Sequence, residues 1–486
     1  MTPDNRIAEL EAENAALRAR VGEIPLLQAQ IQELVAQVQD LHARLAKATK
    51  DSHNSGKPPS TDPLGRKRPR SQRRRSGKKP GGQLGQRGET LHLVATPDEV
   101  VDDRPAVCVG CQAPLDEMAP VVLYERRPVR DLPPVRLLVR LLVREQRALR
   151  VRCRACEQVR VGAFPAEAPS RYGPRLRALA VYLLEQQLIP YARVREVFTD
   201  LVGAPVSLGT LTRWVRQGAQ TLRPVEAPSK AALQRAAVLH SDETGVRRAG
   251  TLAWAHVAST SRLTHDAIHA KRGSDATDAI GILPGYQGVS VQDGWKPYRR
   301  YTQCRQALCN SHHLRVLTFL EEAYDQAWAQ ELKGALREMK AAVEAARLRG
   351  EDRLGDAERS AFVTRYEELL ATGLAANPPP ERRSGQRGRV KQSPARNLLE
   401  RLLFGQRETL AFLDDCTIPF DNNQAEQDLR MLKVQQKLAG SFRADTGSEA
   451  FACIRGYLSS MRKQGVALLA ALQTVFTDQP LYPAFD

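Results

Sequence analysis

The sequence contains no apolar run approaching the ~20 residues that a membrane-spanning helix needs. Its polar first residues, MTPDNRIAELEAEN, do not resemble a secretory signal peptide. Acidic residues are also few, since 55 Asp and Glu stand against 72 Lys and Arg, which gives a formal net charge of +17. These features argue against a membrane protein and favour a polyanionic partner such as nucleic acid. We therefore expect a cytoplasmic, nucleoid-associated protein.

Cysteine is scarce as well, and eight cysteines in 486 residues are too few for a disulfide scaffold. Four of them form two close pairs, Cys108-x-x-Cys111 and Cys153-x-x-Cys156. A hairpin between the pairs, for which the alternating run at 135–144 provides a strand, would bring them into one tetrahedral site. We predict a zinc-binding domain over residues 100–165, with one structural Zn²⁺ on these four cysteines. Two unrelated reduced pairs are the alternative.

Residues 1–50 carry apolar side chains at the spacing of a coiled coil, with a phase slip at Pro25. We predict that this segment drives self-association into a dimer or larger oligomer. The alternative is a helical hairpin that packs on itself across Pro25, where proline would break the helix.

Residues 51–99 form a turn-rich linker followed by a basic arm. The stretch 66–79 contains nine cations and no acid, so it cannot build a core and is typical of a nucleic-acid-binding arm. A solvated linker is the alternative. The predicted DNA-binding cations of the arm are Arg66, Lys67, Arg68, Arg70, Arg73, Arg74, Arg75, Lys78 and Lys79.

Residues 166–230 predict three short helices, the second ended by Gly203 and the third capped by Ser207. The third helix is basic, with Trp214 between two arginines. This pattern is equally compatible with a helix-turn-helix DNA reader and with an ordinary helical support.

The pattern from Ala236 onward predicts three consecutive strands, a helix, a fourth strand and then more helices. This is the order of a ribonuclease-H-like α/β domain. We assign residues 231–325 to its first part, 326–415 to a helical insertion, and 416–486 to its last part with C-terminal helices. The whole chain is therefore predicted to be multidomain, with a coiled coil, a four-cysteine zinc segment, a helical DNA-binding segment and this catalytic domain.

Three acids stand at functional positions of the predicted catalytic domain. Asp242 lies at the end of the first strand and Asp293 after the fourth, while Glu426 lies in the first turn of a later helix. Three carboxylates suit hard divalent cations such as Mg²⁺. Each acid also has an ordinary structural explanation: Glu243 is adjacent to Asp242, Asp293 precedes a turn glycine, and Glu426 could belong to a capping box.

The strings HSDETGVR, VQDGWKPY, CNSHHLR and DNNQAEQDLRMLKVQQKLAGSFR resemble, in this order, the DDE transposases of the insertion-sequence sixty-six family. The resemblance extends to the paired cysteines and to the basic segment. It implies Mg²⁺- or Mn²⁺-dependent DNA cleavage at element ends, strand transfer into target DNA, and Asp242, Asp293 and Glu426 as the catalytic and metal-binding triad. It also implies double-stranded DNA as partner, and accessory proteins encoded by the same element are possible further partners.

The helix that carries Glu426 has a basic stripe and an apolar stripe along its length. Arg430, Lys433 and Lys437 share the face of Glu426 and are predicted to follow a DNA backbone. Ala425, Leu429 and Leu432 form the apolar stripe that anchors the helix.

Other polar residues near these motifs are given structural roles. We expect Asn422, Asn423 and Gln424 to cap the helix and Trp295 to pack in the core. His312 and His313 follow Cys309 closely, which could indicate a second zinc site. We favour instead a buried histidine with its hydrogen bonds satisfied, or a histidine near the scissile phosphate.

Two other functions are compatible with these residues. One is a ribonuclease-H-like nuclease without strand transfer. The other is a zinc-containing DNA-binding regulator whose acids are merely structural.

Overall fold

The computed structural model describes residues 3–51, 54–55, 150–152, 159–161, 172–380, 390 and 392–485. The chain divides into two compact units. The larger comprises residues 1–69, 144–196 and 205–486, and the smaller comprises 70–143 and 197–204. The basic arm, the four paired cysteines and the strand predicted at 135–144 lie outside the described residues. No helix in the described segments is long and apolar enough to cross a membrane.

The N-terminal segment is one helix, α1 (Pro3–Ala48), which continues through Pro25. The hairpin alternative is therefore wrong, because the flanking Ala, Leu, Glu and Gln residues are strong helix formers that sustain the helix on both sides of the proline. The C-terminal end of α1 packs on the helix Asn310–Tyr324, where Ala46 is buried and the ring of His42 contacts Tyr324 edge-on at 5.7 Å. Most of the apolar seam is exposed: Leu17, Val21, Ile24, Leu27, Ile31, Leu34, Val38, Leu41 and Leu45.

Two short strands, β1 (Arg150–Arg152) and β2 (Val159–Val161), pair antiparallel. They flank the second cysteine pair in the sequence.

The helical segment that follows contains α2 (Pro174–Val181), α3 (Tyr191–Val197) and α4 (Leu208–Arg235), with π-helical turns at Tyr182–Gln186 and Phe198–Val202. Gly203 ends the second helix in a left-handed conformation, and the Ser207 side chain accepts a hydrogen bond from the Thr210 N–H, as predicted. The prediction of a short third helix is wrong: α4 has 28 residues and contains two prolines. Its buried stripe continues past them and includes Trp214, so packing compensates for the lost backbone hydrogen bonds.

A five-stranded mixed sheet forms the centre of the larger unit, in the order β5-β4-β3-β6-β7. Strands β3 (Val238–Arg248), β4 (Thr251–Ser259) and β5 (Thr264–His269) form the predicted antiparallel meander. After α5 (Ser274–Ile280), strand β6 (Val289–Gln292) runs parallel to β3, and β7 (Arg305–Leu308) runs parallel to β6. The chain thus returns beside its first strand, as the sequence predicts.

The remaining helices pack around this sheet. They are α6 (Asn310–Tyr324), α7 (Ala327–Leu348), α8 (Asp356–Ala376), α9 (Pro394–Phe404), α10 (Gln406–Thr409), α11 (Ala411–Asp414), α12 (Asn423–Ala439), α13 (Asp445–Lys463) and α14 (Leu468–Val475). Helices α6 to α9 share one hydrophobic core with β6 and β7. Helix α12 packs its predicted apolar stripe against β3 and β4.

Candidate active site

Two of the three predicted acids come from neighbouring parallel strands. His240 of β3 pairs with Val291 of β6, so Asp242 and Asp293 each follow this paired position by two residues. The pairing of β3 with β6 ends at this position, whereas β3 continues beside β4 to Arg248. The prediction that Asp242 ends the first strand is therefore wrong: Asp242 lies within β3, level with Asp293 in the loop that follows β6.

The loop after β6 holds Asp293 in a tight turn. Its Oδ1 accepts a hydrogen bond from the Trp295 N–H at 2.9 Å. Gly294 between them has φ +89°, a conformation that residues with a side chain rarely adopt. Asp293 is thus a turn residue, as its structural explanation predicted, and the turn fixes one of its carboxylate oxygens.

Helix α12 is joined to β3 by the buried side chain of Asn422. Its Nδ2 donates to the Ser241 carbonyl at 2.8 Å, and its Oδ1 accepts from the His240 ring N–H at 2.9 Å. Its backbone N–H donates to Cys309 Sγ at 3.1 Å. The predicted capping role of Asn422 is wrong, because its side chain makes no hydrogen bond to the helix N-terminus. It bridges two elements instead and holds the first turn of α12, with Glu426, beside β3.

The carboxylate of Glu426 does not form a capping box. Its Oε2 lies 3.4 Å from Arg315 Nη2, and its Oε1 lies 3.9 Å from His312 Nδ1. Both Oε1 and that ring nitrogen are enclosed and have no hydrogen-bond partner in the described part of the chain. Sequence analysis missed Arg315, although it stands one helical turn after His312 and therefore on the same face of α6.

The electrostatics connect the three acids. Burial, and then repulsion by Glu243, Asp293 and Glu426, raises the pKa of Asp242 to about 8, while a hydrogen bond from the Glu243 N–H opposes the shift. The predicted rise in one carboxylate pKa is confirmed, although burial contributes more to it than the mutual repulsion does.

The three acids are less tightly clustered than one small group of potential metal ligands. Within the described residues, Cys309, His312 and Glu426 offer ligand atoms that all lie within 4.8 Å of one another, and Asp242 and Asp293 are outside this group. Acidic oxygens and an enclosed, unpaired nitrogen are a donor set that fits a divalent cation.

Glu243 lies on the opposite face of β3, as its alternation with Asp242 predicts. Its buried carboxylate accepts from Arg272 at 2.7 Å and from the Tyr298 hydroxyl at 2.5 Å. The Arg272 guanidinium in turn stacks on Trp295 at 4.1 Å, so this tryptophan packs as predicted. Glu243 therefore supports the loop that carries Asp293 from behind.

The two neighbouring histidines have different surroundings. His313 is buried, and its Nδ1 lies within hydrogen-bond distance of Asn310 Oδ1 at 3.1 Å, so it is the satisfied histidine. Burial and the charge of Arg315 lower the pKa of His312. Burial raises the pKa of the Cys309 thiol to about 12. Of the pair, only His312 faces Glu426.

Cations surround the acids unevenly. Lys433 donates to the Gly245 carbonyl at 2.9 Å and so is engaged with β3, in contrast to the free DNA contact predicted for it. Arg430 and Lys437 are exposed on α12. Half-buried Arg401, which sequence analysis did not identify, interacts electrostatically with Asp293, and its Nε has no hydrogen-bond partner in the described segments.

Comparisons with known proteins agree with these observations. A family model described as "Transposase IS66 family" matches residues 169–450, which include all three acids. A second model, a family of unknown function, matches residues 2–92. The uncharacterized protein y4jD of Sinorhizobium fredii is similar to the chain, at 24% identity over 408 residues that cover 78% of this chain and 75% of y4jD.

Proposed function

Since the chain belongs to the IS66 family of transposases, we propose that it cuts DNA at the ends of an insertion sequence and joins the freed ends to target DNA. Asp242, Asp293 and Glu426 are the proposed catalytic acids. The observation that carries this proposal is the bridge of Asn422 to Ser241, because it holds the helix of Glu426 against the strand of Asp242.

The strand order supports a ribonuclease-H-like fold for the catalytic domain. An antiparallel three-stranded meander with β6 parallel beside its first strand is the arrangement expected from the sequence, and β7 adds a fifth strand beyond the predicted four. The helices between β7 and α12 form the insertion that separates Glu426 from the aspartates. We infer that the insertion leaves the positions of the acids intact because Asn310, at the start of α6, binds the Phe420 carbonyl just before α12 at 3.0 Å.

The three carboxylates would hold the Mg²⁺ or Mn²⁺ ions that the family implies. Such ions, when bound, activate a hydroxyl nucleophile and stabilise the leaving oxygen in phosphodiester chemistry. The half-buried guanidinium groups of Arg315 and Arg401 stand beside the acids and suit the binding of a phosphate. They would hold the DNA strand in place while the acids act.

DNA binding is assigned to cations outside this centre. The proposed contacts are the basic arm at 66–79 and the exposed Arg430 and Lys437. Lys433 has an indirect role, because its hydrogen bond to the Gly245 carbonyl holds α12 against β3. A long α4 with a buried Trp214 favours the structural role for the segment at 166–230 over a short recognition helix. The structural Zn²⁺ on the four paired cysteines remains part of the proposal, and the β1–β2 pair that flanks the second cysteine pair supports it.

Self-association is assigned to α1. Its 46 residues extend over about 69 Å, and most of its apolar seam is exposed. A second copy of the same helix would cover the seam and bring two catalytic units together for coordinated cleavage at both ends.

The test is cleavage of a plasmid that carries both ends of the element, with and without Mg²⁺. Asp242→Asn, Asp293→Asn and Glu426→Gln should each abolish cleavage and leave DNA binding, measured by gel shift, nearly unchanged. Glu449→Gln is the matched control, because Glu449 is an exposed acid on α13. A regulator with structural acids would show no Mg²⁺-dependent cleavage in the wild-type protein, and a nuclease would cut without joining ends to target DNA.

A further inference from the structure

We propose that His312 Nδ1 and Glu426 Oε1 bind one divalent cation together, so that the active site contains a nitrogen ligand besides its carboxylates. This inference rests on the proposed function, because Glu426 belongs to both. It assigns to His312 a role as a metal ligand.

The distance between the two atoms is the first argument. They lie 3.9 Å apart, which is too far for a direct hydrogen bond. Ligands about 2.1 Å from a common ion are separated by about 3.0 Å at a right angle and about 4.2 Å when opposite. The observed separation of 3.9 Å lies between these two values, nearer to that of opposite ligands.

The second argument is that both atoms are enclosed and unpaired. Neither Glu426 Oε1 nor His312 Nδ1 has a hydrogen-bond partner in the described part of the molecule. A buried polar atom without a partner is destabilising, because it has lost its hydrogen bonds to water. Two such atoms that face each other leave room for one shared ligand. The charges of Glu426 and Asp293 favour a cation there, whereas Arg315 and Arg401 act in the opposite direction.

The surroundings fix the two atoms in place. Arg315 binds the other oxygen of Glu426 and leaves Oε1 turned toward the imidazole. The backbone N–H of His312 donates to the Cys309 carbonyl at 3.2 Å, at the start of α6. Because Asn422 joins the start of α12 to the Cys309 side chain, the two helix ends that carry the ligands are held together.

The third member of the tight group, Cys309, forms the wall of the site. Its buried Sγ already accepts the Asn422 N–H at 3.1 Å. The ion is therefore bound by one nitrogen and by oxygens. An imidazole ligand shifts the preference of such a site from Mg²⁺ toward Mn²⁺ and other transition metals.

The experiment uses the full-length protein, freed of metal at this site and titrated with Mn²⁺. Mn²⁺ is the probe because it favours oxygen and nitrogen over the thiolates of the proposed zinc site. Pulsed electron paramagnetic resonance of bound Mn²⁺ should show coupling to a histidine nitrogen. In His312→Ala the coupling should disappear, and the Kd for Mn²⁺ should rise at least about tenfold, since loss of even an outer-shell partner costs 10–100-fold.

The matched control is His269→Ala, on the edge strand β5, which should keep both the coupling and the affinity. Bound Mn²⁺ without nitrogen coupling, or coupling that persists in His312→Ala, would overturn this inference and leave the carboxylate triad standing. Wild-type protein that binds no Mn²⁺, or an affinity for Mn²⁺ that is unchanged in Glu426→Gln, would overturn the proposed metal-dependent function as well.

Discussion

The side chain of Asn422 gives the sharpest structural prediction. In Asn422→Ala, the Ser241 carbonyl and the His240 ring N–H lose their partner in a buried place. Each orphaned group costs about 1–3 kcal/mol, so we expect a loss of about 3 kcal/mol in the free energy of unfolding. For the larger unit, which has roughly 400 residues, that loss corresponds to a fall in Tm of about 3–4 °C.

The same change should also reduce catalysis. Glu426 stands one helical turn after Asn422, so a loosened helix start moves its carboxylate relative to Asp242. A misplacement of about 1 Å costs on the order of 100-fold in rate. We therefore expect the cleavage rate at saturating Mg²⁺ and DNA to fall by about that factor, while the affinity for DNA remains unchanged.

The neighbouring Asn423 provides the control, because it has the same chemistry and is exposed. Asn423→Ala should change stability by less than about 0.5 kcal/mol and leave the rate unaffected. Calorimetry and single-turnover cleavage measure the two effects. Equal Tm and equal rates for the two variants would refute the bridging role of Asn422.

Three further predictions concern other parts of the chain. Burial raises the pKa of Glu185 from 4.5 to about 8 against the charge of Arg455, so the folded state keeps a proton in this window that the unfolded chain loses. The free energy of unfolding should therefore fall with rising pH by up to about 1.4 kcal/mol per pH unit until about pH 8. Measured by urea unfolding, its dependence on pH should be flatter in Glu185→Gln but not in the exposed control Glu196→Gln. Deletion of residues 1–50 should give a smaller species by light scattering, and an unchanged mass would contradict self-association through α1. Cys153→Ser should reduce the zinc content of the purified protein, and an unchanged content would contradict the four-cysteine site.

The strand order was predictable because it depends on local patterns, although the end of the first strand was not: β3 continues past Asp242 because β4 pairs with it as far as Arg248. Alternation of apolar residues defines β3 and β6. The Ser207 cap was predictable for the same reason, since its partner Thr210 is three residues away.

Contacts between distant segments were not predictable from a single sequence. Asn422 looks like a helix cap because capping is the local use of asparagine, yet its partner Ser241 is 181 residues away. Lys433 looks like a free surface cation, yet it binds Gly245, which is 188 residues away. Pro25 predicted a break in α1, yet the helix continues through it, because the helix formers that sustain it act over longer stretches than one turn.

The central claim is that Asp242, Asp293 and Glu426 form one site that both cuts element ends and joins them to target DNA. The direct measurement supplies a pre-cut element end with a free 3′-hydroxyl and a target plasmid, together with Mg²⁺, and follows joined products on a gel. The wild-type protein should join the ends, and Glu426→Gln should join none while still binding the DNA. Joining by Glu426→Gln at the wild-type rate, or cutting without any joining by the wild-type protein, would contradict the claim.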